Sequence, residues 1–385
     1  MNNTTYCFTN ARVYRDGVFT NEDVICSGGR IERIVPRGSE KGPEQIDCGG
    51  RMLVPGFLDM HTHGANGVDV NAADAEGIRT IGRFFAQHGT TGWNASVLTD
   101  TPQQTLRAID AVCAAMDQPG EDCAPPLGVH LEGPFLAAAY KGAMPEHLLQ
   151  PGSEALYREY QAAAGGRVRY MTVSPEVSGV NEMIAAIAGE VTVGIGHSGA
   201  DYNTAMQAVN NGARCATHTG NAMRLLHQHE PAIFGAVLES DVWCEAICDG
   251  LHLHPGTVRL LLKCKGPQRV IAVTDSIMAA GLPDGRYRLG VNDVVVKNGD
   301  ARLVEPDVRA GSTLTMDRAL KNLVRFTGLP VEAVLPLMTA NPADCLRLAD
   351  RKGRIAPGLD ADFVLLDEEL NVCATYLGGR CLYRG

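Results

Sequence analysis

The stretch PGFLDMHTHG, residues 55–64, marks the point at which the pattern of the chain changes. Before it, residues 5–54 alternate short β-rich pieces with Gly and Asp turn signals, which predicts a small antiparallel sheet without a helix. After it, apolar strands alternate with amphipathic helices. The stretch itself is an apolar strand ending in His61 and His63, whose side chains share one face of the strand. Two imidazoles do not complete the coordination shell of a metal ion, so further ligands must come from elsewhere.

Eight strand candidates follow Pro55, and most of them are separated by a helical segment such as QQTLRAIDAVCAAM. In chain order they are GFLDMH, WNASVL, PLGVHLE, VRYMTVS, VTVGIGH, ARCATH, VWCEAICD and RVIAVTD. Eight strand-helix units are what a closed parallel barrel requires, so the pattern predicts an α/β fold of the (β/α)8 TIM-barrel type. A doubly wound open sheet is the structural alternative. Such a sheet does not ordinarily place polar chemistry at the ends of nearly every strand.

The remaining strand patterns indicate a second structural unit. The segment RYRLGVNDVVVKNGDARLV, after the eighth strand, is interpreted as an inserted hairpin that precedes further helices. From about Gly353 the strand pattern returns and continues to the C-terminus. We therefore predict that residues 55–349 form the barrel, and that residues 1–54 and 350–385 together form one small β-sandwich domain.

Composition and charge exclude several classes of function. The 385 residues carry a formal net charge of −10 without any long Lys/Arg run, which argues against a nucleic-acid or anionic-membrane surface. The N-terminus lacks the basic and apolar regions of a signal peptide, and no apolar run reaches membrane-spanning length. The 12 cysteines contain no C-x-x-C pair and are expected to be free thiols. A cytoplasmic enzyme with a small-molecule substrate is the expectation.

Polar residues recur where the predicted barrel strands end. In a barrel the carboxyl ends of the strands surround one pocket, so side chains far apart in sequence converge there. Besides the histidine pair of the first strand, these strand-end residues are Glu132, His197, His218, Asp249, His252 and Asp275. Histidines at the same structural position in successive units predict a metal site, because chance placement would scatter them.

The strand-end residues match the requirements of a hydrolytic metal centre. Glu132, His197 and His218 supply a carboxylate and two imidazoles, which leaves a position open for water. The pair His61 and His63, with a bridging oxygen of Glu132 and with Asp275, is predicted to hold a second ion. Such an ion lowers the pKa of water to about 7. Asp275 is also predicted to accept the proton of that water and return it to a leaving amine.

The motifs together resemble those of the amidohydrolase superfamily and, more narrowly, of the N-acetylglucosamine-6-phosphate deacetylase family. The resemblance runs nearly end to end and rests on NARVYRDGVF, GGRIERI, PGFLDMHTHG, HLEGPFL, KGAMPEH, GHSGADY, THTGNAM, DGLHLHP, VTDSIMAAG, GSTLTMDRAL and GRIAPGLDADFVLLD. The first histidine motif marks the superfamily alone, whereas the combination of HLEGPF with the later motifs is far more restrictive. The resemblance implies hydrolysis of the acetamide of N-acetylglucosamine-6-phosphate to glucosamine-6-phosphate and acetate.

The resemblance also implies a role for individual residues. Glu132, His197 and His218 would be the principal metal ligands, His61 and His63 would build the second site, and Asp275 would be the catalytic acid and base. His252 would contact the substrate near the acetyl carbonyl and help to hold the developing oxyanion. The sugar-phosphate pocket would be lined by Gly142, Ala143, Asn221 and Ala222. A homodimer is expected from the family alone.

One departure from the family concerns the phosphate. Where the family commonly has an arginine in a segment like REPG, this chain reads HEPAIFG, with His229 at that place. Arginine binds phosphate with a permanently charged two-pronged donor, whereas histidine is about half charged near pH 6.5. His229 is therefore either a weaker phosphate ligand or a sign that the enzyme prefers another acetamido sugar, such as N-acetylgalactosamine-6-phosphate or an unphosphorylated one. Ser312, in GSTLTM, offers hydroxyl and backbone donors to the substrate.

Three questions remain open from the sequence. The ligands suit Zn²⁺ foremost, but also Fe²⁺, Mn²⁺ or Co²⁺, and one or two ions per chain are compatible with them. Another amidohydrolase activity, on a cyclic amide or an N-acyl amino acid, is the enzymatic alternative. Such relatives usually bridge two metals with a modified lysine, whereas Glu132 occupies the equivalent strand region here. A catalytically silent sugar-phosphate sensor is the non-enzymatic alternative, and it predicts loss of a ligand or of Asp275.

Overall fold

The computed structural model of the chain describes residues 5–40, 44–305 and 307–385. The prediction made for the N-terminal segment falls partly on residues 1–4, which lie outside the described residues. Between Thr5 and Pro55 the described residues form strands and turns without a helix, as the turn signals predict. These strands are β1 (Thr5–Thr9), β2 (Arg12–Arg15), β3 (Val18–Thr20), β4 (Glu22–Ser27), β5 (Arg30–Pro36), β6 (Glu44–Asp47) and β7 (Met52–Pro55).

Strands and helices alternate after Pro55. In chain order they are β8 (Phe57–Thr62), the short ribbon strands β9 (Gly64–Ala65) and β10 (Val68–Asp69), α1 (Ala75–Gln87), β11 (Thr90–Leu98), α2 (Pro102–Asp117), β12 (Pro126–Glu132), α3 (Glu154–Ala163), β13 (Val168–Val173), α4 (Val180–Ile187), β14 (Thr192–Ile195), α5 (Tyr202–Asn210), β15 (Cys215–Ala216), α6 (Ala232–Glu239), β16 (Trp243–Ile247), α7 (Pro255–Lys265) and β17 (Val270–Val273). The long apolar strands fall where the sequence predicts them.

Eight of the described strands form one parallel sheet, in the order β17-β16-β15-β14-β13-β12-β11-β8. The sheet closes on itself, because the amide of Asp275 donates to the carbonyl of His61 at 2.9 Å and the amide of His63 donates to the carbonyl of Ser276 at 2.8 Å. These bonds join the last strand to the first. The predicted (β/α)8 barrel is therefore confirmed, and the open-sheet alternative does not apply.

The last part of the chain returns from helices to strands. Its elements are β18 (Gly285–Leu289), β19 (Asn292–Lys297), β20 (Asp300–Leu303), α8 (Met316–Thr327), α9 (Val331–Val334), α10 (Ala340–Cys345), β21 (Phe363–Leu366), β22 (Val372–Leu377) and β23 (Arg380–Arg384). Within the described ranges, no single helix is long and apolar enough to cross a bilayer. Only Met316–Thr327 and Val331–Cys345 together pass that test, as a pair bent by 116°.

The predicted hairpin after the eighth barrel strand is larger than expected. In the described residues, β18, β19 and β20 form a three-stranded antiparallel sheet. The second turn consists of Asn298 and Gly299, with φ of 53° and 77°. Two consecutive residues at positive φ make the tight two-residue turn that suits the twist of a hairpin. This Asn-Gly signal was present in the sequence and accounts for the additional strand.

Strands from both chain ends share one sheet beside the barrel. The order β23-β22-β21-β7-β2-β3 combines C-terminal with N-terminal strands, and a second sheet has the order β5-β4-β1-β6. Phe8 of the second sheet packs edge-on against Phe363 and Tyr376, with ring centroids 5.0 and 4.9 Å apart. The small β domain formed by both ends is thus present, while its boundaries at residues 54 and 350 stay a prediction.

A largely buried lysine side chain fixes the segment that leads from α10 into β21. The ammonium of Lys352 lies 2.5 Å from a carboxylate oxygen of Asp362 and 3.0 Å from one of Asp360. Burial alone would lower the pKa of Lys352, but the two carboxylates outweigh it and raise the pKa above its ordinary value. The ion pair is therefore intact at neutral pH and holds the connection between the barrel and the β domain.

We expect Lys352→Met to lower the free energy of unfolding by about 3–5 kcal/mol, because it leaves the buried carboxylate of Asp362 without its cation, while Asp360 keeps an ion pair with Arg351. Because the folded-state pKa is raised, the pair contributes fully at neutral pH, and its contribution is lost only as the pH rises past the ordinary lysine pKa of about 10.4. Urea unfolding at pH 7 and at pH 11 measures both effects. The control is Arg12→Met, which removes an exposed pair with Glu368 and should cost below about 1 kcal/mol.

Candidate metal centre and active site

The predicted ligands lie at the carboxyl ends of the barrel strands. Glu132 is the last residue of β12, whereas His197, His218 and Asp275 each follow the end of their strand by two residues. These last three residues have positive φ, at 47°, 31° and 49°. Positive φ is uncommon for residues other than glycine and costs free energy, and such strain clusters at functional sites. The backbone thus turns sharply at each strand end and directs the side chain toward the barrel axis.

One group of ligand atoms forms around Glu132. Its Oε1 lies 3.2 Å from Nε2 of His197 and 3.3 Å from Nε2 of His218. The two imidazole nitrogens are themselves 2.9 Å apart. All three side chains are buried, and their ligand atoms lie within 4.8 Å of one another. The structure therefore brings together the carboxylate and the two imidazoles that the sequence singles out.

A second group shares Glu132 with the first strand. Nε2 of His63 lies 3.2 Å from Oε2 of Glu132, and Nε2 of His61 lies 3.4 Å from its Oε1. Oδ1 of Asp275 lies 3.2 Å from His63 and 3.5 Å from His61. One carboxylate thus faces two pairs of histidines, which is the arrangement expected where an oxygen ligand bridges two adjacent sites.

The hydrogen bonds behind the rings fix which nitrogen faces the cluster. A carbonyl oxygen can only accept, so Nδ1 of His197 donates to the carbonyl of Tyr140 at 2.8 Å, and Nδ1 of His63 donates to that of Ser96 at 3.1 Å. In the neutral rings of His197 and His63 the Nε2 atoms then carry lone pairs, and each faces an oxygen of Glu132 at 3.2 Å. Converging acceptors without a donor repel one another unless a cation lies between them. The donor set therefore fits a divalent metal ion.

The electrostatics keep both carboxylates ionised. Burial acts to raise the pKa of Glu132, but the positive charge of the protonated rings of His61 and His63 in the metal-free cluster outweighs it and holds the pKa well below its usual range; a bound cation acts in the same direction. Asp275 is buried in the same way, and the same two rings lower its pKa. Both groups are thus anionic at neutral pH, as a metal ligand and a general base require.

A cavity of about 460 Å³ opens over this cluster. It is lined by His63, Leu98, Glu132, Ala138, Ala139, Tyr140, Lys141, Gly142, Ala143, Met144, His197, His218, Asn221, Ala222, His252, Asp275, Leu289, Val308, Arg309, Ala310 and Gly311. Its floor is the ligand cluster, and its wall includes the segment from Ala138 to Met144. The volume lies in the range of small-molecule sites, so the cavity suits a compact polar substrate.

The chain was compared with known families and curated proteins. The model of the amidohydrolase family matches residues 52–381. N-acetylglucosamine-6-phosphate deacetylase of Bos taurus is 35% identical over 98% of this chain and 95% of that protein. The chain belongs to the N-acetylglucosamine-6-phosphate deacetylase family of amidohydrolases. The bacterial relative of the same name from Lysinibacillus sphaericus is also 35% identical, over 93% of this chain and 92% of that protein.

Solved structures of the family have the same fold. N-acetylglucosamine-6-phosphate deacetylase from Pasteurella multocida matches with a TM-score of 0.93 at 26% identity, over 99% of this chain and 100% of that one. A mutant deacetylase from Mycobacterium smegmatis, solved in complex with N-acetyl-D-glucosamine-6-phosphate, matches with a TM-score of 0.91 at 30% identity, over 98% and 99%. The amidohydrolase fold and the hydrolase class of the chain are therefore established.

Most of the predicted substrate residues line the cavity. Gly142, Ala143, Asn221 and Ala222 lie in its wall, as the resemblance implies. His252 lies there too, and its Nδ1 is 2.7 Å from Oδ2 of Asp249. Burial would raise the pKa of Asp249, but His252 outweighs it and lowers the pKa, so this carboxylate holds the ring in one orientation.

Two predicted substrate residues do not line the cavity. His229 is exposed and lies at the tip of a tight turn, because His227 and Glu230 exchange backbone hydrogen bonds on either side of it. Ser312 is buried, and its hydroxyl donates to the carbonyl of Thr274 at 2.5 Å. Its amide donates to the carbonyl of Asp275 at 2.7 Å. Ser312 therefore holds the strand end that carries Asp275, instead of offering its hydroxyl to the cavity.

Three charged residues near the site were not predicted. Lys141 and Arg309 line the cavity, and Glu245 contacts the ligand cluster from within the barrel. Lys141 belongs to the quoted KGAMPEH motif, so a signal for it existed. Glu245 is a single carboxylate within the apolar strand WCEAI, which is a second usable signal. Nothing in the local sequence of Arg309 points to the cavity.

Proposed function

We propose that the chain hydrolyses the acetamide of N-acetylglucosamine-6-phosphate to glucosamine-6-phosphate and acetate. The observation that carries the proposal is the convergence of two imidazole Nε2 atoms and a buried carboxylate at the floor of a cavity of about 460 Å³. The names of the curated relatives support the same substrate. The intact ligand set and the presence of Asp275 disfavour a silent sensor, since that hypothesis predicts a loss at one of these positions.

We propose that Glu132, His197 and His218 hold one divalent ion, with Zn²⁺ as the first choice and Fe²⁺, Mn²⁺ or Co²⁺ as alternatives. The pair His61 and His63, with Glu132 and Asp275, would hold a second. When bound there, such an ion polarises the acetamide carbonyl and lowers the pKa of water to about 7. The protein's part is to keep Nε2 of His61, His63 and His197 free of a proton through a hydrogen bond at each Nδ1, and to keep the carboxylates ionised.

We propose that Asp275 moves the proton. Its carboxylate is anionic at the start, lies at the cavity floor, and accepts a proton from the attacking water. It then returns that proton to the nitrogen that leaves when the amide carbon–nitrogen bond breaks. His252, oriented by Asp249, would contact the acetyl oxygen and help to hold the negative charge that develops there. The products are acetate and the free amine. The oxygen of the water ends in acetate, and the proton that Asp275 carries ends on the amine.

We propose that Lys141 and Arg309 hold the anionic end of the substrate, in place of the predicted His229. Both cations line the cavity of a chain whose net charge is −10, so a local pair is what an anion requires. Nε of Arg309 lies 2.8 Å from Asp300 and Nη2 lies 3.1 Å from it. This carboxylate orients the guanidinium and leaves Nη1 without an acceptor among the described residues. A guanidinium binds phosphate with charge-assisted hydrogen bonds.

We expect Arg309→Met to raise KM for N-acetylglucosamine-6-phosphate by about ten- to a hundredfold, because a hydrogen bond to a charged group is worth about 1.5–3 kcal/mol. The kcat should change little, since the phosphate is remote from the reacting carbon, and turnover of unphosphorylated N-acetylglucosamine should not change. His229→Gln is the control and should leave both constants within about twofold. An unchanged KM in R309M, or a raised KM in H229Q, would argue that the phosphate is bound elsewhere.

The proposed function is tested by acetate release from N-acetylglucosamine-6-phosphate, N-acetylgalactosamine-6-phosphate and both unphosphorylated sugars, with and without a chelator. The proposal expects the glucosamine phosphate to react fastest, with loss of activity on chelation and recovery on adding zinc. Faster release from another sugar would identify the alternative substrate, and no release from any would overturn the proposal. We also propose a cytoplasmic homodimer. The 12 free cysteines suit a reducing compartment, and light scattering measures the assembly.

A further inference from the structure

Glu245 lies inside the barrel, behind the ligand cluster. It belongs to β16 and its side chain is fully buried. Oε2 of Glu245 lies 2.9 Å from Nδ1 of His61, and the same oxygen accepts a hydrogen bond from the amide of His218 at 2.8 Å. One carboxylate oxygen is thus bonded both to a ring of the first histidine pair and to the backbone of a ligand in the other group.

This contact distinguishes His61 from the other histidines of the cluster. The Nδ1 atoms of His63 and His197 donate to backbone carbonyls, which no side-chain substitution removes. The Nδ1 atom of His61 instead depends on a side chain for its acceptor. When Nδ1–H is bonded to Glu245, the lone pair on Nε2 faces Glu132 at 3.4 Å and Asp275 at 3.5 Å.

We propose that Glu245 is a positioning residue that builds the second metal site, by holding the ring of His61 in the orientation and tautomer that turn Nε2 toward the cluster. This inference rests on the metal centre of the proposed function. It assigns to Glu245 no contact with the substrate or with the reacting atoms. Partners of this kind typically change metal affinity by about ten- to a hundredfold when they are removed.

The free-energy cost of burying the Glu245 carboxylate supports a functional role for this residue over a purely structural one. A buried carboxylate is expensive unless it is fully bonded, and a leucine of similar volume in an apolar strand would avoid that cost. Oε1 of Glu245 nevertheless has no hydrogen-bond partner among the described residues. The barrel therefore keeps a carboxylate that is only partly hydrogen-bonded. Among the described residues, the groups that it serves as an acceptor are Nδ1 of His61 and the amide of His218.

The test is metal binding by the full chain. The chain is first stripped of metal with a chelator and then titrated with Zn²⁺. Equilibrium dialysis measures how many equivalents bind and with what affinity. Wild type should bind two equivalents, and His61→Asn should lose the one that belongs to the His61–His63 group. Glu245→Leu should weaken that same equivalent by about a hundredfold, and Glu245→Gln, which keeps an acceptor oxygen, by about tenfold. The other equivalent should stay within about threefold in all of these variants. The exposed Glu239→Gln is the control and should leave both unchanged.

Three results would overturn the inference: a single equivalent in wild type, both equivalents unchanged in E245L, or both weakened together. The last result would show that Glu245 acts on both groups, through the amide of His218 as well as the ring of His61, and is not the positioning residue of one site. If E245L does not fold, E245Q decides, and an unchanged second equivalent in that variant contradicts the inference. Counting bound metal needs no substrate. The outcome therefore stands whether or not the chain releases acetate.

Discussion

Asp275→Asn is expected to lower kcat for acetate release by about 10³- to 10⁴-fold, the upper part of the range for a lost general acid and base. Asparagine keeps the size of the side chain and tolerates the positive φ of 49° at this position, so the backbone turn survives. What it loses is the ability to accept the proton of water and return it to the leaving amine. The effect should therefore fall on kcat.

Metal content decides whether this loss reflects proton transfer. The ligands around His197 and His218 do not involve Asp275, so at least their equivalent of metal should remain in D275N. Asp201→Asn is the matched control, because Asp201 is an exposed helix N-cap that asparagine replaces well. Steady-state kinetics and metal analysis of the two variants settle the role. Residual activity above a tenth of wild type in metal-loaded D275N would exclude Asp275 as the acid and base.

His197→Asn is expected to remove one equivalent of bound metal and to lower kcat/KM by about 10³-fold or more, since the ion supplies several kcal/mol of barrier lowering. Only Glu132 and His218 remain to hold the ion in this variant, fewer than the three protein ligands of a catalytic site. Asparagine is again suited to the positive φ of 47°, so the loss of a ligand is separated from backbone strain.

The control for this substitution is His147→Asn, at an exposed position in a short 3-10 turn. It should leave metal content and kcat/KM within about twofold. Excess zinc should restore part of the activity of H197N, because a weakened site still fills when the metal concentration is high. Full metal content together with full activity in H197N would show that the ligand assignment is wrong.

The barrel could be predicted because its signals are local and repeated. Each barrel strand appears in the sequence as a short apolar run followed by a turn. The order of the eight strands around the barrel is also their order along the chain. Glu132, His197 and His218 could be predicted as one site because strand ends meet in any closed barrel. No distance between them follows from the sequence, yet their positions relative to the strands were enough to place them around a common point.

The residues that the sequence did not place depend on geometry that it does not carry. His229 was expected at the phosphate because of its place in a motif; in the structure it is exposed in a tight turn between His227 and Glu230 and does not line the cavity, and its role stays a prediction. Arg309 forms an isolated bridge with Arg302 of β20 and lines the cavity from there, a pairing that the local sequence does not show. Glu245 contacts His61 across the barrel interior, at a sequence separation of 184 residues.

Anomalous diffraction from crystals of the zinc-loaded chain, recorded on both sides of the zinc edge, tests the central claim most directly. The account predicts a zinc peak about 2.0–2.2 Å from an oxygen of Glu132 and from the Nε2 atoms of His197 and His218. A second peak is expected between His61, His63 and Glu132. Zinc bound only elsewhere, or no peak at this cluster at saturating zinc, would contradict the account.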